Sequence, residues 1–327
     1  MKCTKLRILL TGGAGYIGSV ITDLLVQDGM TVILIDDLSE GNSEAIPKEV
    51  EFIKGDFGDK QLLEMVFSKH SIDVVIHLAA FANVPHSVKE PLDYYDNNVL
   101  RTLRLLKMMQ RFDIRKMIFS STAAVYGVPE IQPIKEEFDT KPINPYGWSK
   151  LMIERVLQDL YVANAFKSIS FRYFCAAGAT ERNGESRKKK ETHLIPLVVD
   201  SAVTRNGMLK VFGNDFATRD GTGVRDYIHV LDIARAHILG LHAIEEFQSE
   251  VFNLGSEKGY SVLEVIETGK QVLNLDIPYE FADRRPGDPA SLIASSKKAG
   301  ALLGWEPQFG LVEMIQSTFR WRRNPLY

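Results

Sequence analysis

Cysteine is almost missing: Cys3 and Cys175 are the only two in 327 residues. Two are too few for a disulfide framework or for a structural zinc site, which takes about four ligands. Long apolar runs are missing as well, and none approaches the ~18–20 residues of a bilayer crossing, so no membrane partner is expected. Lys2 and Lys5 precede Ile8-Leu9-Leu10, but a glycine cluster ends that run before it reaches signal-peptide length. A cytoplasmic location is the resulting expectation. Neither charge sign is in large excess: 39 Lys and Arg face 42 Asp and Glu, a net charge of −3. That balance argues against a broad basic surface for nucleic acid. Internal repeats and low-complexity segments are absent, and no residues carry metal-ligand spacing, so no metal is expected. His77 and His229 read as structural. The one charge cluster, 181–191 with Arg187-Lys188-Lys189-Lys190, reads as a solvated loop.

What is present is an ordinary globular composition, 45% apolar and 25% charged. Apolar β-branched runs alternate with helical spacing. Strands are expected at Arg7–Thr11, Thr31–Ile35, Val50–Ile53, Val74–Leu78, Met117–Phe119 and Ser168–Phe174. Helices are expected at Ile17–Gln27, Lys60–Ser68, Asp93–Arg111 and Tyr146–Asn164. This alternation implies an α/β fold, a doubly wound parallel sheet covered by helices on both faces. After residue 176 the pattern loosens, with a helix at His229–Ala243 and a strand at Val251–Leu254. The expected organisation is a first domain of residues 1–175 and 227–256 and a smaller, discontinuous α/β domain of 176–226 and 257–327.

Thr11-Gly12-Gly13-Ala14-Gly15-Tyr16-Ile17-Gly18 lies between the first strand and the first helix. It satisfies Gly-x-Gly-x-x-Gly from Gly13 and Gly-x-x-Gly-x-x-Gly from Gly12. Glycines there permit a tight turn and close approach of backbone to a pyrophosphate, which the helix N-terminus attracts. The second strand ends in Asp36-Asp37, about 20 residues on, where a carboxylate accepts hydrogen bonds from an adenosine ribose. The whole is a Rossmann-type dinucleotide site. A carboxylate at Asp36, doubled by Asp37, repels a 2′-phosphate, and no arginine follows within Leu38–Asn42, so NAD is favoured over NADP. Asp56, in Gly55-Asp56-Phe57 after the third strand, is placed either to meet the adenine or to close a turn.

Tyr146-Gly147-Trp148-Ser149-Lys150 sets a phenol and an ammonium on one helix face. A cation about 6 Å away at an effective dielectric near 20 is worth roughly two pK units, which draws the tyrosine down toward general-base duty. Ser120-Ser121-Thr122 follows the fifth strand. Since ligands of doubly wound sheets bind at the carboxyl ends of strands, Thr122 is expected to point its hydroxyl into the same cleft.

With these residues the chain resembles the extended short-chain dehydrogenase/reductase family, and within it the branch that inverts C4 of UDP-hexoses. The likeness covers nearly the whole chain, through Thr11–Ser19, His77-Leu78-Ala79-Ala80, Ser120–Gly127, Pro145–Lys150, Arg172-Tyr173-Phe174, Thr192–Pro196, Phe212–Asp215, Asp220–Val230 and Arg285–Asp288. The resemblance implies an isomerase that reversibly epimerises UDP-glucose and UDP-galactose through a 4-keto sugar, with tightly bound NAD. In it Tyr146 takes the 4-hydroxyl proton, Lys150 tunes that tyrosine and holds the nicotinamide ribose, and Thr122 bridges sugar and tyrosine. It puts Gly12, Gly15, Tyr16, Ile17, Gly18, Asp36, Asp37, Asp56, Phe57, Asn97 and Tyr173 against the cofactor. It puts Cys175, His193, Leu194, Phe212, Arg225, Arg285 and Asp288 against the uridine diphosphate, where guanidinium forks match phosphate oxygens. It also implies a homodimer through the Asp93–Arg111 and Tyr146–Asn164 helices.

The chain departs from the family at Cys175, where asparagine is common, at Ala82, where some members carry lysine, and at His86, where glutamate is common. The family's pocket-gating position falls on Leu292, smaller than the tyrosine that excludes N-acetyl groups. Epimerisation of a UDP-N-acetylhexosamine is therefore an alternative. A 4,6-dehydratase is disfavoured, because Ala123-Ala124 stand where its acid–base carboxylates belong. Intact Thr122, Tyr146 and Lys150 disfavour a silent NAD-binding regulator.

Overall fold

The computed structural model describes residues 5–186, 191–204, 208–285 and 288–327. The Arg187–Lys190 cluster and two residues of the Arg285–Asp288 motif, Pro286 and Gly287, lie outside them. Two compact units emerge, one of Met1–Gly127, Thr140–Arg172 and Ala234–Phe252, the other of Val128–Asp139, Tyr173–Ile233 and Asn253–Tyr327.

The first unit is built on strands β1 (Arg7–Thr11), β2 (Thr31–Asp36), β3 (Glu51–Lys54), β4 (Val74–His77), β5 (Lys116–Thr122) and β6 (Lys167–Tyr173). Among the described residues the sheet has seven strands in the order β10-β6-β5-β4-β1-β2-β3, β10 being Ser249–Leu254. The pairs β2–β3, β1–β2, β1–β4 and β4–β5 are parallel. Ile8, Leu9 and Leu10 in β1 and Val74, Val75 and Ile76 in β4 are fully or almost fully buried. Runs apolar on both strand faces suit a sheet covered on both sides. Helices α1 (Tyr16–Gln27), α2 (Lys60–Lys69), α3 (Val84–Lys89), α4 (Pro91–Tyr94), α5 (Arg101–Arg111) and α6 (Pro145–Asn164) follow the strands. One core of this unit joins Leu9 and Ile33 of the sheet to Leu63 and Val66 of α2, Leu105 of α5 and Ile153 and Leu157 of α6.

Two expectations need correction. The helix expected over Asp93–Arg111 is broken by a π-helical turn, Tyr95–Leu100, between α4 and α5. The wider turn accommodates the consecutive asparagines Asn97 and Asn98, both buried, and Asn98 bonds both backbone groups of Phe81. Thr122 is the last residue of β5 rather than a residue beyond it.

The loosened stretch after 176 contains regular elements: β7 (Cys175–Ala177), α7 (Leu194–Thr204), β8 (Leu209–Phe212) and β9 (Val224–His229). Then come α8 (Val230–Ala243), β10, β11 (Gly259–Ser261), α9 (Val262–Leu273), β12 (Tyr279–Ala282), β13 (Ser291–Leu292), α10 (Lys297–Leu303) and α11 (Leu311–Arg323). In the second unit β9 pairs in parallel with β7 and β13 and antiparallel with β11, while β12 pairs in parallel with β8. The fully buried Asp226 of β9 accepts from Ser256 N and Oγ, Glu257 N and Ala294 N. One carboxylate thus ties β9 to the loop after β10 and to the chain beyond β13. Burial still holds it raised to about 6.

Helix α6 begins with Pro145 behind an Asn144 cap, whose side chain accepts from Gly147 N at 2.8 Å. Asn144→Ala is expected to cost about 1 kcal/mol, with Asn144→Ser losing less. Thermal unfolding tests this, and equal melting temperatures for wild type and Asn144→Ala would show that the cap contributes nothing.

Candidate functional site

Strand order reverses between β1 and β4, the crevice where doubly wound sheets take their ligands. The glycine loop lies at that point. Gly12 has φ +79°, and a Cβ on it would stand 2.5 Å from Ala79 N just after β4. A Cβ on Gly18 would run into Gly12 O. These two glycines are required by the protein's own packing. Gly15 differs: a Cβ there would meet only Gly12 O, at 3.5 Å. It is the open position of the loop and caps the N-terminus of α1, which starts at Tyr16 and Ile17. Asp36, buried at the end of β2, accepts from Ala14 N at 3.0 Å and Leu38 N at 2.8 Å. Asp37 accepts from Ser39 N. An open glycine cradle before a helix N-terminus, with a carboxylate tied to the same loop, fits a dinucleotide.

Asp56 accepts from Gly58 N at 2.7 Å and pairs with Arg101 at 2.9 Å, so it closes a turn and ties it to α5. Phe57 packs inward, its ring 5.0 Å from that of His77. Buried Asn97 donates to Asn98 Oδ1, and Asn98 donates to Ser149 Oγ, joining the π-turn to α6. His77 is structural here. Thr102 Oγ1 gives its proton to Asn98 O, so His77 Nε2–H donates to Thr102 and Thr11 donates to Nδ1. Burial holds His77 near 3, which keeps this neutral tautomer.

Thr122, Tyr146 and Lys150 come together between the end of β5 and the first turns of α6. Tyr146 and Thr122 share a side-chain hydrogen bond. Lys150 is buried, donates from Nζ to Ser120 O at 2.7 Å and sits 4.9 Å from the centre of the Phe119 ring. Burial lowers it to about 7, and the charge of Glu154 opposes the fall. The phenol departs from the sequence expectation: burial raises Tyr146, with only the Thr122 bond pulling it down. Tyr94 meets the Tyr146 ring edge-on at 6.4 Å.

Glu154, Arg172, Asn98 and Ser149 were not among the expected site residues. Arg172, Asn98 and Ser149 lie within motifs that carry the family resemblance, and Glu154 stands one turn beyond Lys150.

In the second unit Arg225 donates to Asp288 Oδ1 at 2.7 Å and to Val224 O at 2.8 Å. Leu292 of β13 is the register partner of Arg225, and Cys175 of β7 is that of Tyr227. Burial raises the Cys175 thiol to about 11, while Arg225 opposes the rise, so it is a neutral thiol rather than a nucleophile. Arg285 lies over the Phe212 ring at 3.9 Å. His193 belongs to another grouping, bonded through Nδ1 to Glu185, with Glu191 accepting from its backbone N. Ligand-type atoms of Glu185, Glu191 and His193 lie within 4.8 Å of one another. Glu185 meets His193 Nδ1 at 2.8 Å, and Glu191 pairs with Arg322. Leu194 packs against the apolar core of this unit, and Tyr173, ending β6, is buried.

Residues 8–255 match the model of the NAD dependent epimerase/dehydratase family. A UDP-glucose 4-epimerase of Halalkalibacterium halodurans is 48% identical over 98% of this chain and 96% of its own. The crystal structure of UDP-glucose 4-epimerase from Bifidobacterium longum in complex with NAD+ and UDP has a TM-score of 0.93 and 40% identity, covering 98% of this chain and 99% of that one. The UDP-Glc/GlcNAc 4-epimerase of Campylobacter jejuni superposes with a TM-score of 0.85 and 39% identity, covering 97% and 99%. The chain belongs to the NAD dependent epimerase/dehydratase family.

Proposed function

We propose that the protein interconverts UDP-glucose and UDP-galactose by inverting C4 through a 4-keto sugar, as a UDP-glucose 4-epimerase. The observation that carries this is the hydrogen-bonded Thr122–Tyr146 pair one helical turn from the buried cation Lys150, in a unit that also holds the open Gly15 cradle. The chemistry a bound NAD supplies is reversible removal of the C4 hydrogen with its electron pair. Tyr146 Oη, as phenolate, takes the proton of the 4-hydroxyl and later returns it to the same oxygen. Thr122 Oγ1 orients that exchange. Lys150 supplies the positive charge that makes the phenolate tenable in a buried setting. Asp36 accepts from ribose hydroxyls and excludes a 2′-phosphate. Arg225 and Arg285 neutralise the substrate's diphosphate, with Asp288 holding Arg225 in place and Phe212 supporting Arg285. His193 and Leu194 border the nucleotide, and Cys175 takes a position beside Arg225 without an amide's hydrogen bonds. A cytoplasmic homodimer is part of the same reading. Leu92, Leu100, Trp148 and Met152, on α4, the π-turn and α6, are exposed apolar side chains suited to an interface.

Tyr146→Phe should lower kcat by about 10²–10⁴-fold while leaving the fold and bound NAD intact. A coupled assay of UDP-galactose conversion decides, and a variant retaining more than about a tenth of the wild-type rate sinks the assignment.

Reconstitution of the apoprotein should favour NAD over NADP, and Asp36→Asn should narrow that preference. The ratio is the informative readout, since Asp36 also holds the glycine loop and its loss weakens both cofactors. A wild-type protein that prefers NADP refutes the role given to Asp36.

Leu292 supports a second activity. Leucine leaves more room than tyrosine at the sugar 2-position, so weak turnover of UDP-N-acetylgalactosamine is expected beside efficient turnover of UDP-galactose. Leu292→Tyr should depress the N-acetyl sugar selectively and Leu292→Ala should favour it, each by about tenfold in the ratio of kcat/KM values. A ratio unmoved by both substitutions removes Leu292 as the gate.

A further inference from the structure

Tyr146, Lys150 and Glu154 occupy successive turns of one face of α6. Glu154 is buried in an ion pair: its side chain is 3% exposed and that of Arg172, on β6, is 6% exposed. The pairing is bidentate, with Arg172 Nη2 donating to Oε2 at 2.6 Å and Nε to Oε1 at 3.0 Å. The Ser121 hydroxyl also donates to Oε1. Arg172 Nη1 donates to Tyr126 Oη at 2.7 Å, and the guanidinium lies 4.8 Å from the Tyr126 ring centre. The partners on the strand side, Ser121 and Tyr126, bracket Thr122 along the chain.

Taking two charges out of water is costly, and an apolar pair of similar volume often stabilises a fold as well. The ion pair therefore needs a reason beyond packing. The groups facing Lys150 supply one. They are Tyr146 and Glu154 from its own helix, Phe119 and the Ser120 carbonyl from β5 and neutral His77 from β4, with Arg172 behind Glu154. Glu154 is the one anion in that set.

We propose that Glu154, anchored by Arg172, is a positioning residue for the reaction: its charge keeps the buried Lys150 protonated, and its bond to Ser121 fixes the strand end that presents Thr122. The inference deepens the epimerase reading and rests on it for the effect on turnover, whereas the charge effect on Lys150 stands apart from it. Burial alone drives Lys150 downward, and Glu154 opposes the fall. Loss of that carboxylate leaves Arg172 uncompensated and pushes the ammonium to release its proton at still lower pH.

Variants of opposite sign test this. Glu154→Gln removes the anion at nearly constant shape, Arg172→Met removes the cation and leaves the anion, and Glu154→Asp keeps the charge while shortening its reach. The holoenzyme is labelled with 15N-lysine, and the Lys150 Nζ titration, assigned with Lys150→Met, is followed by NMR. The alkaline limb of kcat for UDP-galactose is measured in parallel. Glu154→Gln should move both midpoints down by about one pH unit or more, and Arg172→Met should move them up. Glu154→Asp should lower kcat with the midpoint in place. A purely structural pair lowers kcat and melting temperature in all three without moving any midpoint, and that result overturns the proposal. If Glu154→Gln does not fold, Arg172→Met decides alone: an unmoved or lowered midpoint is fatal. Wild type that shows the Lys150 shifts but no UDP-hexose conversion refutes the epimerase reading instead.

Discussion

An ammonium held out of water against a strand carbonyl is the constraint on which the first unit's chemistry depends. Lys150 is 3% exposed. A charge in that position is tolerable only where dipoles and counter-charges replace its hydration. The Ser120 carbonyl, the Phe119 ring face and the Glu154 carboxylate do so. Each replacement fixes a piece of geometry. The carbonyl fixes how α6 lies along β5. Glu154 draws in Arg172 from β6 and Ser121 from β5. Thr122 and Tyr146 meet beside that buried lysine, at the end of β5 and the start of α6.

The glycine loop obeys a different rule, one of space rather than charge. Gly12 and Gly18 are glycines because protein backbone occupies the place a Cβ would take. Gly15 is the glycine whose missing side chain leaves room for something else. Asp36 links the two rules, since its buried carboxylate orders the loop by accepting from both Ala14 N and Leu38 N. The π-helical turn adds a third element, because Asn98 clamps Phe81 on one side and Ser149 of α6 on the other.

The second unit arranges arginines rather than acid–base groups. Arg225 is held by Asp288, and Arg285 lies over the Phe212 ring. Asp226, next to Arg225 but facing the other way along β9, is consumed wholly by the fold.

The doubly wound architecture, the glycine loop, the end of β2 at Asp36 and the helix carrying Tyr146 and Lys150 are legible in the order of residues. These follow from local periodicity and from motifs whose members lie within a few residues of one another. Local information also marked the second-unit arginines, though not their partners. The wiring between these elements came from the folded packing. It broke the expected Asp93–Arg111 helix, because Asn98 finds Phe81 seventeen residues away. It raised Tyr146 where helical spacing alone argued for lowering, because burial acts through the whole surroundings. It turned Asp56 toward Arg101 and joined Glu154 to Arg172 across eighteen residues. Ionisation and hydrogen bonding depend on what stands within a few ångströms in space, and spacing along the chain specifies that only inside a single helix or turn.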